Sequence, residues 1–186
     1  MTFVTKRLQR SASYFTGTRY IILTVLAVTV LVYFRWAVPK ALGYTNNPAN
    51  YKLLDSKFGF YPSTVYDLFQ ALGPNGRRAY QIINYVDYIM VPMVLAHWFV
   101  ATMPGTTDAT DSWNDKVFWA SNFLMCDVIE NTCIWWLLRS YPTVFRVIAV
   151  IASLAGILKW VSVGFCVVTI TWRIAMKPLT RKKRRH

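Results

Sequence analysis

Asp127, Glu130 and Asn131 stand at i, i+3 and i+4 within a stretch otherwise apolar enough to cross a bilayer, so helical geometry puts all three on one face. Asn84 and Asp87, three residues apart, share a face of the preceding apolar stretch, and Lys159 is the single charge between Val147 and Trp172 in the one that follows. A charge at mid-membrane costs roughly 2.5–3.5 kcal/mol on insertion scales, which is relieved when ionisable groups face a protein interior and pair there. Glu130 is about 12 Å from the Leu138 end of its stretch and Lys159 about 18 Å from the Val147 end of the next, counting the helical rise. In antiparallel neighbours both distances run from the same membrane face, so a pair between Lys159 and Glu130 or Asp127 is expected. With three acids to one lysine, at least one carboxyl, of Asp87 or Asp127, is expected to stay protonated and hydrogen-bonded.

Three kinds of chemistry fit this set. A polar clasp of Asp87, Asp127, Glu130, Asn131 and Lys159 would fix helix pairing and register. A proton or ion path would use Asp87, His97, Asp127 and Glu130. A lipid- or sterol-binding site or lipid-modifying enzyme would use a buried carboxyl as general acid and base. Asn84, Tyr88, His97 and Trp160 are the expected second layer, with Tyr85 and Tyr88 placed to donate to Asp87 and Trp160 adjoining Lys159. No catalytic residue is assigned.

Other chemistries lack their ligands. Two histidines, one of them the last residue, do not supply a bis-histidine haem site, and Cys126, Cys133 and Cys166 have neither disulfide nor zinc spacing. Asp108, Asp111 and Asp115 lack the EF-hand spacing and closing glutamate. No metal or cofactor is expected.

The elements that must position the polar residues follow from the hydropathy pattern. Hydrophobic residues make up 55% of the 186-residue chain and charged ones 16%, against about a quarter charged in soluble domains, which points to an integral membrane protein. We expect an all-α fold: a four-helix membrane bundle with spans at about 20–38, 82–103, 117–138 and 147–172. A short amphipathic interfacial helix lies between the first two, starting near Pro62 with Thr64 and Asp67 as a capping pair and ending at Gly73-Pro74. Its stripe, Val65, Leu68, Phe69 and Leu72, lies on the membrane surface or packs on the bundle rim. Pro92 is expected to kink the second span. Small residues Ser153, Gly156, Ser162 and Gly164 would let the fourth span approach its neighbour closely.

The net charge of +13 gathers at the ends of these stretches and fits anionic lipid headgroups, not nucleic acid, for which no fold is recognisable. Residues 1–19 are basic, acid-free and amphipathic, which reads as a mitochondrial targeting segment, a surface helix or an ordinary positive flank. Residues 174–186 form a basic tail. Both termini are expected on the cytosolic side, or in the matrix if the membrane is the mitochondrial inner one. That membrane is the expected location, with the endoplasmic reticulum or a bacterial inner membrane as alternatives.

The segments Phe58-Gly59-Phe60-Tyr61-Pro62, Leu72-Gly73, Gly76-Arg77-Arg78-Ala79-Tyr80, Asp127-Val128-Ile129-Glu130-Asn131 and Leu158-Lys159-Trp160 resemble a loose family of small four-span membrane proteins without an assigned activity. The resemblance covers about residues 55–170 and implies the four-span bundle and its polar positions. The sterol isomerase and sigma-2 receptor family is similar in size, span count, buried acids and basic tail, but the first span here has no acid and the motif order differs. The expected role is a structural or accessory subunit of a membrane complex, such as a respiratory or ATP synthase assembly. Its partners would be the bilayer and other membrane subunits.

Overall fold

The computed structural model describes Arg7 and residues 14–33, 53–102 and 112–183, with backbone alone for residues 89, 112–116 and 173–183. The N-terminal segment, the end of the expected first span and most of the acidic loop lie outside the described residues. Those described are helical or connecting, as the apolar periodicity requires: α1 is Thr18–Val32, α2 Pro62–Thr102, α3 Ser112–Ser140 and α4 Arg146–Lys183, with a 3-10 turn at Leu54–Ser56.

α2 is two helices in sequence. Gly73, at φ 63° and ψ −178°, is its non-helical residue, and Pro74 restarts the helix with a nitrogen that has no proton to donate. Arg77 Nη1 donates to the Phe69 carbonyl at 2.8 Å, satisfying an acceptor of the last turn before the break, while its guanidinium lies 4.3 Å from the Tyr141 ring centre. The interfacial-helix expectation therefore meets its C-terminal boundary. Its start is also met, since the helix opens on Pro62, suited to a first turn, but Thr64 and Asp67 lie inside the helix and not at its cap. Val65, Leu68 and Phe69 are buried against Leu137, Leu138, Ala149 and Ala152, so the stripe packs on the end of the bundle. The break in α2 falls at Gly73, whereas Pro92 keeps helical dihedrals.

α3 and α4 pair antiparallel across the turn after Ser140 and form the largest interface, with α2 against α3 and α1 on the C-terminal half of α2. Trp98 Nε1 donates to Thr24 Oγ1 at 3.2 Å, and the Tyr20 and Thr102 hydroxyls meet at 3.1 Å, tying α1 in place. On α4 the buried residues Ala149, Ala152, Ala155, Lys159, Ser162 and Cys166 recur every three or four positions. Its opposite face, Val147, Ile151, Leu154, Leu158, Phe165, Val168 and Trp172, is exposed and wholly apolar. Both faces obey helical periodicity.

The interior is layered. One apolar cluster joins Leu54, Val65, Phe69, Tyr80, Ile83, Ile134, Leu137 and Ala152 at the end holding the α3–α4 turn. A second joins Ala27, Leu95, Ala96, Phe99, Ala120, Phe123 and Cys166 at the other end. Between them on α2, α3 and α4 lie the buried polar residues Asn84, Asp87, Asp127, Glu130, Asn131 and Lys159.

Among the described residues, two stretches are long and apolar enough to cross a membrane: Pro62–Thr102 and Arg146–Trp172. The sequence expectation was four. α3, with 29 residues, is long enough, but Asp127, Glu130 and Arg139 lower its apolarity, and α1 has 15 described residues against about 20 for a span. α4 also continues as backbone helix through Lys183, past the expected end of the fourth span at 172.

Candidate functional site: a sealed carboxylate–lysine centre

Lys159 is the hub. Its Nζ lies 2.5 Å from Glu130 Oε2 and 3.2 Å from Asp127 Oδ1, and it donates to the Asp55 backbone carbonyl at 3.0 Å. Side-chain exposure is 7% for Lys159, 4% for Asp127 and 0% for Glu130, so the pairs are shielded from solvent and from screening ions. α3 presents both acids because 127 and 130 share a face, and the turn after Ser140 sets α4 alongside with Lys159 opposite them.

An amide relay extends the centre to α2. Asn131 Nδ2 donates to Asp127 Oδ2 at 3.0 Å, and Asn84 Nδ2 donates to Asn131 Oδ1 at 2.8 Å. Asn122 Nδ2 donates to Ser162 Oγ at 2.7 Å, a separate link between α3 and α4.

Glu130 depends on its neighbours in a different way. Neither of its oxygens has a well-angled hydrogen bond among the described residues, so proximity to the ammonium is what offsets its burial. Its Oε1 is turned toward Gly156, where a Cβ would stand 2.6 Å away. The glycine on α4 is thus the space that the α3 carboxylate fills. Gly164, from the same sequence pattern, has nothing within 4 Å of its would-be Cβ and makes no close approach.

The residue that sequence reasoning missed is Asp55. It lies on a strap, residues 53–60, that runs from the 3-10 turn to the start of α2 and is docked into the bundle. Leu54 N–H donates to the Tyr80 hydroxyl at 3.1 Å, Phe60 N–H donates to Ser153 Oγ at 2.8 Å, and Gly59, at φ 132°, lies against Ile157. Leu54 is fully buried. Asp55 is half-buried as a residue, yet its Oδ1 is sealed off and has no hydrogen-bond partner among the described residues. Burial pushes the Asp55 carboxyl above the ordinary carboxylate range, with Lys159 pulling the other way. The signal in the sequence was an acid set among Leu53, Leu54, Phe58 and Phe60 in a connection, where polar side chains would be expected.

Asn84 takes the supporting place expected of it. Trp160 does so in part: Lys159 Nζ is 5.7 Å from its ring centre, but the ring is 37% exposed at the bundle surface. Tyr88 and Tyr85 turn outward, Tyr85 meeting Trp135 edge-on, because positions one and two residues from Asp87 lie on other faces of the helix. His97 lies three turns beyond Asp87, where its Nδ1 hydrogen-bonds the Met93 carbonyl at 2.7 Å, outside the cluster. The Tyr80 hydroxyl, which the sequence reading passed over, is the phenol that holds the strap. A cleft lined by Val144, Phe145, Arg146, Val147 and Ile148 at the α3–α4 turn shares no residue with the centre.

Helices with charge inside and apolar side chains outside, closed by a connecting strap, define the class: an all-helical bundle with a sealed ionic centre. Comparison with protein-family models, curated proteins and solved structures finds no match to this chain.

Proposed function

We propose that the chain is a multi-pass membrane protein of four spans whose ionic centre clasps the bundle, and that it serves as a structural or accessory subunit of a membrane assembly. The observation that carries this reading is the reversed polarity of the bundle. Val147, Leu154, Leu158, Val168 and Trp172 on α4, Ile82, Met90 and Met93 on α2, and Phe118, Met125, Ile129 and Trp136 on α3 are all exposed, while Glu130, Asp127 and Lys159 are inside. Water around such a surface would be unfavourable by about 25 cal/mol for each Å² of apolar area, whereas lipid or neighbouring subunits cover it at no such cost.

The clasp explains how α3 belongs in the same membrane despite its acids. Its carboxylates face Lys159 and Asn131, and its outer face is apolar, so lipid meets only the latter. α1, Thr18–Val32, completes the set of four. The turning of the centre's charges on one another supports a structural role over an enzyme acting on a lipid or sterol. The basic, acid-free N-terminal segment supports the mitochondrial inner membrane as the location.

Purification of the full chain in mild detergent, followed by mass measurement of the intact particle, tests the accessory role. Copurifying membrane subunits in fixed stoichiometry are expected. A lone monomer carrying a sterol or lipid would replace this role with a ligand-binding one.

A further inference from the structure

The strap of residues 53–60 lies at a depth where irregular backbone is rarely tolerated. Lys159, whose Nζ donates to the Asp55 carbonyl, is the middle residue of the apolar stretch Arg146–Trp172. Gly59 lies against Ile157 and Phe60 N–H donates to Ser153 Oγ, so the strap follows α4 from that midpoint toward its N-terminal end. Counted by helical rise, these contacts run from about 20 Å to about 10 Å from Arg146, inside a hydrocarbon core of about 30 Å.

Within that core, non-helical backbone persists only where protein covers it or water reaches it. The inner side of the strap is covered: Leu53 and Leu54 are buried, and Leu54 N–H is held by Tyr80. Its outer side is not. Ser56 is exposed, Phe58 is 65% exposed, and Tyr61, just beyond the strap, is 79% exposed. Ser56 and Lys57 N–H close the 3-10 turn on the Leu53 and Leu54 carbonyls, but the N–H groups of Phe58 and Gly59 make no hydrogen bond among the described residues. Lipid offers nothing to such donors, and water is a poor cover for two large aromatic side chains. A protein surface suits both.

The geometry points to a docking face: Phe58, Tyr61 and the N–H groups of Phe58 and Gly59 receive a transmembrane helix of another subunit that carries hydroxyl or amide side chains. Complementarity of charge fixes that chemistry. Two N–H donors call for side-chain oxygens, which transmembrane helices present as Ser, Thr, Asn or Gln and use across helix contacts. The two rings are of the type enriched at the centres of protein interfaces. A second copy presenting α4 does not serve, since Ile151, Leu154 and Leu158, exposed at the same depth, bring no acceptor.

This inference rests on the accessory role and names the face through which it is exercised. Photoreactive benzoylphenylalanine in place of Phe58, of Tyr61 or, as a lipid-facing control, of Leu154 reads the surroundings of each site in the full chain when intact membranes are irradiated. From 58 and 61 the adduct should map to one apolar, hydroxyl- or amide-bearing span of a subunit that also copurifies in fixed stoichiometry, and from 154 to lipid. Position 61 serves if the change at 58 disturbs the strap. Phe58→Ala with Tyr61→Ala should cut recovery of that subunit by about tenfold or more, the loss expected of anchor residues, while Leu154→Ala leaves it unchanged. Lipid adducts at 58 and 61, no adduct at either, or an adduct with a second copy of this chain would overturn the docking face, and with subunits still copurifying the accessory role would stand. A chain that purifies alone would overturn both.

Discussion

Glu130 Oε1 lies where a side chain at position 156 would have to go: a Cβ built on Gly156 falls 2.6 Å from that oxygen. α3 and α4 therefore meet through a carboxylate fitted against a bare backbone. Gly156→Ala must push Glu130 off Lys159 or part the helices, and overpacking of this kind costs about 1–3 kcal/mol. Gly164→Ala, with open space around it, should be neutral or gain up to about 1 kcal/mol from helix propensity. Denaturant unfolding of both variants in detergent checks the contrast, and equal effects would mean that Glu130 does not occupy the gap.

Lys159 faces two acids, so Lys159→Met strands both at once. Breaking one side of a buried ion pair costs about 3–5 kcal/mol because the remaining charge is uncompensated. Adding Glu130→Gln removes one of those stranded charges, so the double variant should be more stable than the sum of the single effects by about 0.5–3 kcal/mol. Strict additivity in unfolding experiments would mean that the two side chains are not paired.

The helical pattern of the sequence was enough to bring Asp127, Glu130 and Asn131 to one face, Asn84 and Asp87 to another, and Lys159 opposite the first set, because periodicity alone decides which residues share a face. The Gly73-Pro74 break was equally readable, since the chemistry of those two residues is local. Asp55 and Tyr80 were not readable: their roles depend on a connection folding back into the bundle, and no period describes a strap. Tyr88 adjoins Asp87 in sequence but not in space, because one step along a helix turns a side chain by about 100°. A membrane crossing by α1 and α3 is less legible, because acids on α3 and the shortness of the described α1 dilute the apolar signal.

Tyr80 and Ser153 hold opposite ends of the strap through one hydrogen bond each. Tyr80→Phe keeps the buried ring but leaves the Leu54 N–H without its acceptor, and Ser153→Ala does the same to Phe60. A buried donor left unsatisfied costs about 1–3 kcal/mol. Amide exchange should speed up locally, at Leu54 in the first variant and at Phe60 in the second, while the α3–α4 interface stays protected. Unchanged exchange at both amides would mean that these bonds do not hold the strap.

Leu154, 55% exposed in the middle of the apolar face of α4, distinguishes a bilayer from water outside the bundle. It lies on the exposed face of α4 whereas Lys159 is buried, so replacing it probes the surroundings of the bundle. On a water-facing helix Leu154→Arg would be nearly neutral, since surface substitutions usually stay within about 0.5 kcal/mol. In lipid an arginine at mid-span costs roughly 2.5–3.5 kcal/mol on insertion scales, enough to lower the inserted fraction markedly. Alkaline carbonate extraction of membranes from cells expressing each form should leave the parent in the pellet and move part of the variant to the supernatant. A parent that extracts fully would show that the exposed leucines and valines of α4 are covered by something other than a bilayer.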